Sequence, residues 1–172
     1  EPPLACLDRT VPLVGTLGQT YVERRSVPVE VAAAAGVCFD SDYCGRAAVL
    51  VPLHDRDGAL TSVHGRYLHN VRGQNKMLTI GPGGGAINVL GGWQVDPLIL
   101  VEGLFDALSL ATCGWPAVAT IGRWVPWLPE VAAGRVAWLG FDATRQAVID
   151  VARYTSHLPT AKVRRLLPPP RC

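Results

Sequence analysis

The sequence predicts an α/β protein in which a largely parallel sheet with flanking helices follows a smaller α+β subdomain with a mainly antiparallel sheet. The first observation is the run Leu98–Val101, which is apolar at every position and is typical of a strand covered on both faces. The second is that such runs alternate with amphipathic segments, an order that implies right-handed crossovers and parallel strands. We therefore assign residues 1–95 to a basic N-terminal subdomain and residues 96–172 to the parallel α/β subdomain.

Composition indicates a compact globular protein. The chain has 172 residues, of which 49% are hydrophobic and 17% are charged, and these values exclude a disordered chain. Five cysteines without a C-x-x-C pair predict neither a zinc ribbon nor a disulfide framework. No apolar stretch reaches membrane-spanning length and no signal peptide is visible, so we expect a cytoplasmic protein with no membrane partner.

The first half of the chain predicts an irregular arm, two helices and a sheet. The arm is residues 1–12, which show no periodicity. The predicted helices are Thr16–Arg25 and Pro28–Ala35, the second because a proline opens it and a glycine follows it. The predicted strands are residues 47–53, 59–68, 77–80 and 86–90. An Asp-Gly turn joins the first two strands, and we expect the glycine-rich loop 81–85 to join the last two as a hairpin.

The second half predicts alternating strands and helices. The predicted strands are residues 98–101, 117–121, 136–141 and 162–167. The predicted helices are residues 104–113, 124–133 and 143–157, and prolines interrupt the second of them.

Two of these strands end on an acid. Glu102 follows the first strand directly, and Asp142 follows the strand at residues 136–141. Open α/β sheets bind their ligands at the carboxyl ends of the strands, so the two carboxylates are expected to share one metal site. Ordinary strand-end carboxylates are the alternative interpretation.

Basic residues recur through the antiparallel half. Arg46 precedes its first strand, Arg66 lies in the second, and Arg72 and Lys76 precede the third. If Arg66 and Lys76 share a face of the sheet, they form a phosphate-binding stripe. Solvated strand faces explain the same pattern equally well. From Val151 onward there are five basic residues and no acid, a distribution that fits either a polyanionic partner or a solvated surface.

Motifs in both halves resemble those of a known family, the DnaG-type primases whose catalytic core contains a TOPRIM fold. The TOPRIM-like motifs are Val101-Glu102-Gly103-x-x-Asp106, Ala119-Thr-Ile-Gly122 and Leu139-Gly-Phe-Asp142-Ala-Thr144. Arg46, Pro52, Asp55-x-Asp57-Gly58, Gly65-Arg66-Tyr67-Leu68 and Asn75-Lys76 are similar, in the same order, to the basic subdomain that precedes TOPRIM in primase cores. The resemblance runs from about Val29 to Leu167.

This resemblance implies a primase-like nucleotidyltransferase that makes short primers on a single-stranded DNA template from nucleoside triphosphates, with Mg²⁺ or Mn²⁺ as cofactor. It assigns catalysis to Glu102 and Asp142, and metal binding to these two acids and Thr144. It assigns nucleotide or template binding to Arg46, Arg66, Asn75 and Lys76. It further implies a helicase or a zinc-binding module outside this chain as partner, and a phage, plasmid or other mobile replicon as the setting.

The sequence departs from the family pattern at one metal ligand. The family carries Asp-x-Asp where this chain carries Asp142-Ala-Thr144, and a neutral threonine oxygen is a weak ligand for a hard cation. Asp150, two turns further along the predicted helix, is expected to be too distant to replace it simply. Two other functions therefore stay open, namely a TOPRIM-derived module that binds nucleic acid without synthesis, and a TOPRIM nuclease. The chain opens on Glu1 rather than Met, as expected of an excised fragment.

Overall fold

A computed structural model describes residues 2–142 and 144–166 of the chain. The chain divides into two compact units, Glu1–Ile87 and Asn88–Cys172, so the boundary lies earlier in the chain than the predicted one after Val95. The strands form two five-stranded sheets, one antiparallel and one largely parallel, and this is the mixed α/β class that the sequence predicted.

The first unit combines short helices with the antiparallel sheet. Its helices are α1 (Pro3–Leu7), α2 (Leu17–Glu23) and α3 (Val29–Ala34), and its strands are β1 (Val11–Pro12), β2 (Cys38–Tyr43), β3 (Arg46–His54), β4 (Leu60–Tyr67) and β5 (Met77–Ile80). The strands lie side by side in chain order, and each neighbouring pair is antiparallel.

Local sequence explains where several of these elements begin and end. The Thr16 hydroxyl accepts hydrogen bonds from the first backbone amides of α2, those of Gly18 and Gln19, as an N-cap residue does. The predicted Asp-Gly turn between β3 and β4 is confirmed. Within it, the Asp55 carboxylate accepts from the backbone of Asp57 and Ala59, and Gly58 has a φ of +85° that favours glycine.

The core of the first unit contains a residue that the sequence had placed in an irregular arm. Cys6 of α1 is fully buried in a cluster with Tyr43, Leu50, Val63 and Tyr67. Residues 11 and 12 also pair with β2 as an edge strand. The predicted arm is therefore wrong, because short elements of one or two turns are stabilised by packing on the sheet and leave no periodicity to detect.

The second unit is built on the parallel sheet. Its elements are β6 (Ile87–Val89), β7 (Leu98–Val101), α4 (Leu104–Thr112), β8 (Ala117–Ala119), α5 (Leu128–Ala132), β9 (Val136–Gly140), α6 (Arg145–His157) and β10 (Lys162–Arg165). The strand order is β10-β9-β7-β8-β6, and β7 pairs in parallel with both β8 and β9. All four residues of β7 are buried, as its continuous apolar run predicted. The predicted end of the last strand at Leu167 lies outside the described residues.

The glycine-rich loop does not form the predicted hairpin. Strand β6 joins the parallel sheet, while β5 stays in the antiparallel one. The loop instead returns against β3 and β4, where Ala86 exchanges backbone hydrogen bonds with His54 and the Gly83 amide donates to the Ser62 hydroxyl. At Gly85 a side chain would collide with Thr61, so a glycine permits this close approach.

Two further observations concern the chain as a whole. Over the described residues, no helix has both the length and the apolar character needed to cross a membrane. The cysteines whose structure is described, Cys6, Cys38, Cys44 and Cys113, form no disulfide bond with one another.

Candidate active site

Two carboxylates follow neighbouring strands at one edge of the parallel sheet. Strands β7 and β9 pair in parallel with Val101 opposite Gly140. Glu102 follows Val101 directly, and Asp142 lies two residues beyond Gly140. The structure therefore brings Glu102 and Asp142 together, close enough for the Asp142 backbone to donate a hydrogen bond to the Glu102 carboxylate.

Glu102 is half-buried among other acids, and its ionised form is disfavoured. Burial is the largest cause that raises the pKa of Glu102 above its ordinary value of 4.5, and the charges of Asp142, Asp150 and Asp106 raise it further. The backbone hydrogen bond from Asp142 acts in the opposite direction. We call these four acids the acidic edge, and within it Glu102 takes up a proton at a higher pH than an exposed glutamate.

The start of helix α4 explains the Glu-Gly-x-x-Asp motif. The Asp106 carboxylate accepts a hydrogen bond from the Gly103 amide at 3.0 Å, which satisfies a donor at the helix start. A Cβ at Gly103 would lie only 2.9 Å from Asp106 Oδ2. Gly103 and Asp106 therefore act together to start helix α4 directly after Glu102.

Helix α6 contributes an acid that the sequence interpretation had set aside. Asp150 lines a pocket together with Glu102, Thr120, Phe141 and Arg153. The Gln146 side chain donates to both of its carboxylate oxygens at 3.3 Å. Asp150 therefore reaches the pocket of Glu102 despite the distance along the sequence. The sequence signal for this role of Asp150 is its position, two turns into the helix that follows the strand-end acid Asp142.

A buried tyrosine on α6 ties this pocket to the loop after β8. The Tyr154 hydroxyl donates to the Arg123 carbonyl oxygen at 3.0 Å and shares a hydrogen bond with the Thr120 hydroxyl at 3.0 Å. Its ring makes edge contacts with Phe141 and Trp124, at centroid distances of 5.0 and 5.3 Å. Since Phe141 precedes Asp142, Tyr154 holds one side of the acidic edge in place. Burial raises the pKa of Tyr154, so the hydroxyl stays protonated and can donate.

Thr144 serves as the N-cap of α6. Its hydroxyl accepts a hydrogen bond from the Ala147 amide at 3.1 Å, and its backbone is extended, with φ −103° and ψ 163°. The residue is exposed. Thr144 is thus used to start the helix, and its hydroxyl oxygen already has a partner.

In the first unit, Arg46 lies between a ring and a loop. Its Cζ lies 3.4 Å from the centroid of the Tyr67 ring. Its Nη1 donates to Gln74 Oε1 at 2.6 Å, and its Nη2 donates to the Asn75 carbonyl oxygen at 2.7 Å. Arg46 and Asn75, both predicted to bind nucleic acid or nucleotide, are therefore in direct contact with each other.

The register of β4 and β5 separates Arg66 from Lys76. Arg66 is paired with Met77, and the Tyr67 amide donates to the Lys76 carbonyl oxygen at 3.1 Å. Lys76 is therefore in register with Tyr67 and not with Arg66. Neighbouring positions of a strand face opposite sides of the sheet, so Arg66 and Lys76 are assigned to opposite faces. The condition for a stripe formed by Arg66 and Lys76 on one face is therefore not met. Arg66 instead contacts Tyr21 of α2, with Nε 3.4 Å from the tyrosine hydroxyl.

Solved structures of primases share this architecture. The primase fragment of the bacteriophage T7 primase–helicase protein is similar with a TM-score of 0.62 and 19% identity, over 86% of this chain and 64% of that one. The Aquifex aeolicus primase (zinc-binding and RNA polymerase domains) gives 0.69 and 18%, over 91% and 51%. A DnaG primase catalytic domain bound to single-stranded DNA gives 0.69 and 19%, over 97% and 69%. This chain has the fold of a DnaG-type primase catalytic core. No protein-family model and no curated protein matches the sequence.

The predicted site residues fall into the two units of the chain. Glu102, Asp142 and Thr144 belong to the TOPRIM-like unit, and Arg46, Arg66, Asn75 and Lys76 to the unit before it. The chain spans from about half to about two thirds of the length of the three primase structures.

The acidic edge suits a divalent cation as far as its donors are concerned. Glu102 and Asp142 supply hard carboxylate oxygens. Burial is the first cause of the raised pKa of Glu102, and a bound cation would relieve the repulsion from neighbouring acids that adds to it. Within residues 2–142 and 144–166, however, no three histidine, cysteine, aspartate or glutamate side chains are grouped closely enough to hold a metal by themselves. The residues present therefore fit a Mg²⁺ or Mn²⁺ ion that keeps several of its waters.

Proposed function

We propose that this chain is the catalytic core of a primase-like nucleotidyltransferase, which joins nucleoside triphosphates into short primers on a single-stranded DNA template. The observation that carries the proposal is the pairing of β7 with β9, because it sets Glu102 and Asp142 side by side at the carboxyl edge of a TOPRIM-like sheet. The primase fold over 86–97% of the chain supports the same assignment.

The chain's own residues have defined parts in this proposal. Glu102, half-buried with a raised pKa, accepts the proton of the attacking 3′-hydroxyl more readily than an exposed glutamate. Asp142 lies beside it and would hold a bound cation together with Glu102. Asp106 and Gly103 fix the direction in which Glu102 leaves the strand. When bound, Mg²⁺ or Mn²⁺ neutralises the charge of the triphosphate and of the acidic edge.

The basic residues of the first unit bind the template in this proposal, Arg66 and Lys76 by direct contact and Arg46 by supporting the loop that carries Asn75 and Lys76. Arg46, Arg66, Asn75 and Lys76 are partly or fully exposed there, and arginine and lysine side chains contact phosphate oxygens in most nucleic-acid complexes. The similar DnaG catalytic domain was solved with single-stranded DNA. We propose that this chain also binds single-stranded DNA. From this partner we infer a cytoplasmic location.

Other modules would act together with this core. The T7 fragment belongs to a primase–helicase protein, and the Aquifex structure includes a zinc-binding domain. We propose that a helicase or a zinc-binding module, on another segment or another chain, assists template recognition.

Thr144 favours one alternative function. Because residue 144 is a threonine, whose hydroxyl caps α6, the site lacks the second carboxylate of the Asp-x-Asp pair. A TOPRIM-derived module that binds single-stranded nucleic acid without synthesis is therefore the second candidate.

A primer-synthesis assay separates these two functions. Single-stranded DNA is incubated with the chain, nucleoside triphosphates and Mg²⁺ or Mn²⁺, and labelled products are resolved by length. We expect short products from the wild type, and none from Glu102→Gln or Asp142→Asn, since both substitutions remove only the charge. Asp57→Asn, in the exposed β3–β4 turn, is the matched control and should retain activity. Binding of single-stranded DNA without products, with either metal, would select the binding module.

A further inference from the structure

The loop that joins β4 to β5, His69–Lys76, has the charge and exposure of a contact surface. All eight residues are exposed, and they include Arg72 and Lys76 but no acid. The Tyr67 amide closes the base of the loop through the Lys76 carbonyl oxygen. A turn in which the Gln74 amide donates to the Val71 carbonyl oxygen at 3.1 Å places Arg72 at the tip. We call this segment the basic loop.

Arg46 fastens the basic loop to the sheet. Each terminal nitrogen of its guanidinium donates to a loop residue, Nη1 to the Gln74 side chain and Nη2 to the Asn75 carbonyl oxygen. The Tyr67 ring supports the plane of the guanidinium from one side. Hydrogen bonds from a cation are about twice as strong as neutral ones, and a lysine cannot reproduce the planar fork that makes both.

We propose that Arg72 and Lys76 of the basic loop contact the phosphates of a single-stranded nucleic acid, and that Arg46 is a positioning residue that holds the loop for this contact. The proposal rests on the proposed function, since it names the surface by which the template is bound. An exposed loop loses conformational freedom when it binds, and a guanidinium that orders the loop beforehand reduces that cost. Arg46 thus acts through the loop.

Salt dependence of binding tests the contact residues. Fluorescence anisotropy of a labelled oligothymidylate is measured with the full chain over a series of KCl concentrations. Arg72→Ala and Lys76→Ala should each reduce the slope of log K against log salt by about 0.7, the value for one lost phosphate contact on a single strand. Arg56→Ala, which removes an exposed arginine from the β3–β4 turn, is the matched control and should leave the slope unchanged.

Two comparisons test the positioning role of Arg46. Arg46→Lys keeps the charge but loses the fork, so it should weaken binding as much as Arg46→Ala does, by roughly tenfold. In the double variant Arg72→Ala, Lys76→Ala, the further change Arg46→Ala should have no effect, because the residues through which it acts are gone. Near-normal binding by Arg46→Lys, or an additive loss in the double variant, would overturn the positioning role.

Hydrogen exchange gives a readout that needs no nucleic acid. In both Arg46 variants the Gln74 and Tyr67 amides, which bond to Val71 and Lys76, should exchange faster. The amides that bond between β3 and β4 should remain protected and show that the fold is intact. Unaltered exchange at Gln74 would overturn the proposal. Unchanged salt slopes in Arg72→Ala and Lys76→Ala, with normal wild-type binding, would overturn this proposal alone. A wild-type chain that binds no single strand would contradict the proposed function as well.

Discussion

Glu102 carries a charge that the folded chain does not favour. Its pKa is raised, first by burial and then by Asp142, Asp150 and Asp106, so folding favours the protonated form more than the unfolded chain does. A group with a raised pKa contributes stability below its unfolded value of about 4.5, and that contribution is lost as pH rises through the folded pKa. Neutralising Glu102 therefore has opposite consequences for stability and for the proposed chemistry.

We expect Glu102→Gln to raise the melting temperature relative to wild type at pH 7. The difference should shrink as the pH falls and vanish well below 4.5, where Glu102 is neutral in both folded and unfolded states. Thermal unfolding monitored by circular dichroism across this range measures it. Glu23→Gln, exposed on α2, is the control. A stabilisation that is constant at every pH would show that the effect is not due to charge.

Thr144→Asp tests whether the acidic edge is a weakened metal site. Thr144 is exposed and extended, and it caps α6. Aspartate is an equally good N-cap residue, so the helix start should be retained while a carboxylate is added near Asp142. We expect Mn²⁺ affinity, measured by calorimetry, to rise by about tenfold or more, because a negative ligand replaces a neutral one.

Thr144→Asn is the matched control for that experiment. It has the shape of aspartate and its capping ability but no charge, so it should bind Mn²⁺ as the wild type does. Equal affinity in Thr144→Asp and Thr144→Asn would mean that residue 144 is not directed at the cation, and would favour the binding-module alternative.

At the scale of secondary-structure elements, the Tyr154 hydroxyl links α6 to the loop after β8 by hydrogen bonds. Tyr154→Phe keeps the edge contacts with Phe141 and Trp124 but leaves the Arg123 carbonyl oxygen and the Thr120 hydroxyl without this partner. Removing one partner of a buried hydrogen bond costs about 1–3 kcal/mol. We expect urea denaturation to show a loss of unfolding free energy in that range.

The control lies on the same helix. The Thr155 hydroxyl donates to the Val151 carbonyl oxygen at 2.8 Å on the exposed side of α6. Thr155→Ala should change stability little, since alanine favours helices and the freed carbonyl can bind water. Equal effects of Tyr154→Phe and Thr155→Ala would refute a special role for the Tyr154 hydroxyl.

For the whole molecule, the proposed metal site predicts stabilisation by divalent cations. An ion that binds only the folded state at ten times its Kd adds RT ln 11, about 1.4 kcal/mol. For a chain of this size that amounts to a rise in Tm of about 3–6 °C. We expect this rise on adding Mn²⁺ to the wild type and its loss in Glu102→Gln and Asp142→Asn. An equal rise in all three proteins would place cation binding elsewhere.

Several features of this protein could be predicted from its sequence alone. The unbroken apolar run of β7 predicted a central strand. The acids directly after β7 and close after β9 were expected at one edge of the sheet, because parallel strands end at the same edge. The Asp-Gly turn and the helix starts at Thr16 and Pro28 were equally local. These features can be predicted because each depends on residues that are neighbours in the chain.

The tertiary structure alone decided the features that depend on contacts distant in sequence. Arg46 reaches Gln74 and Asn75, α6 carries Asp150 back to Glu102, and the register of β4 with β5 divides Arg66 from Lys76. Gly65 is a further case, since a side chain there would collide with the Tyr43 ring across the sheet. The periodicity of apolar residues in the sequence does not predict such long-range contacts. They follow from strand register and helix direction, which are settled only when the hydrophobic faces of the whole sheet pack together.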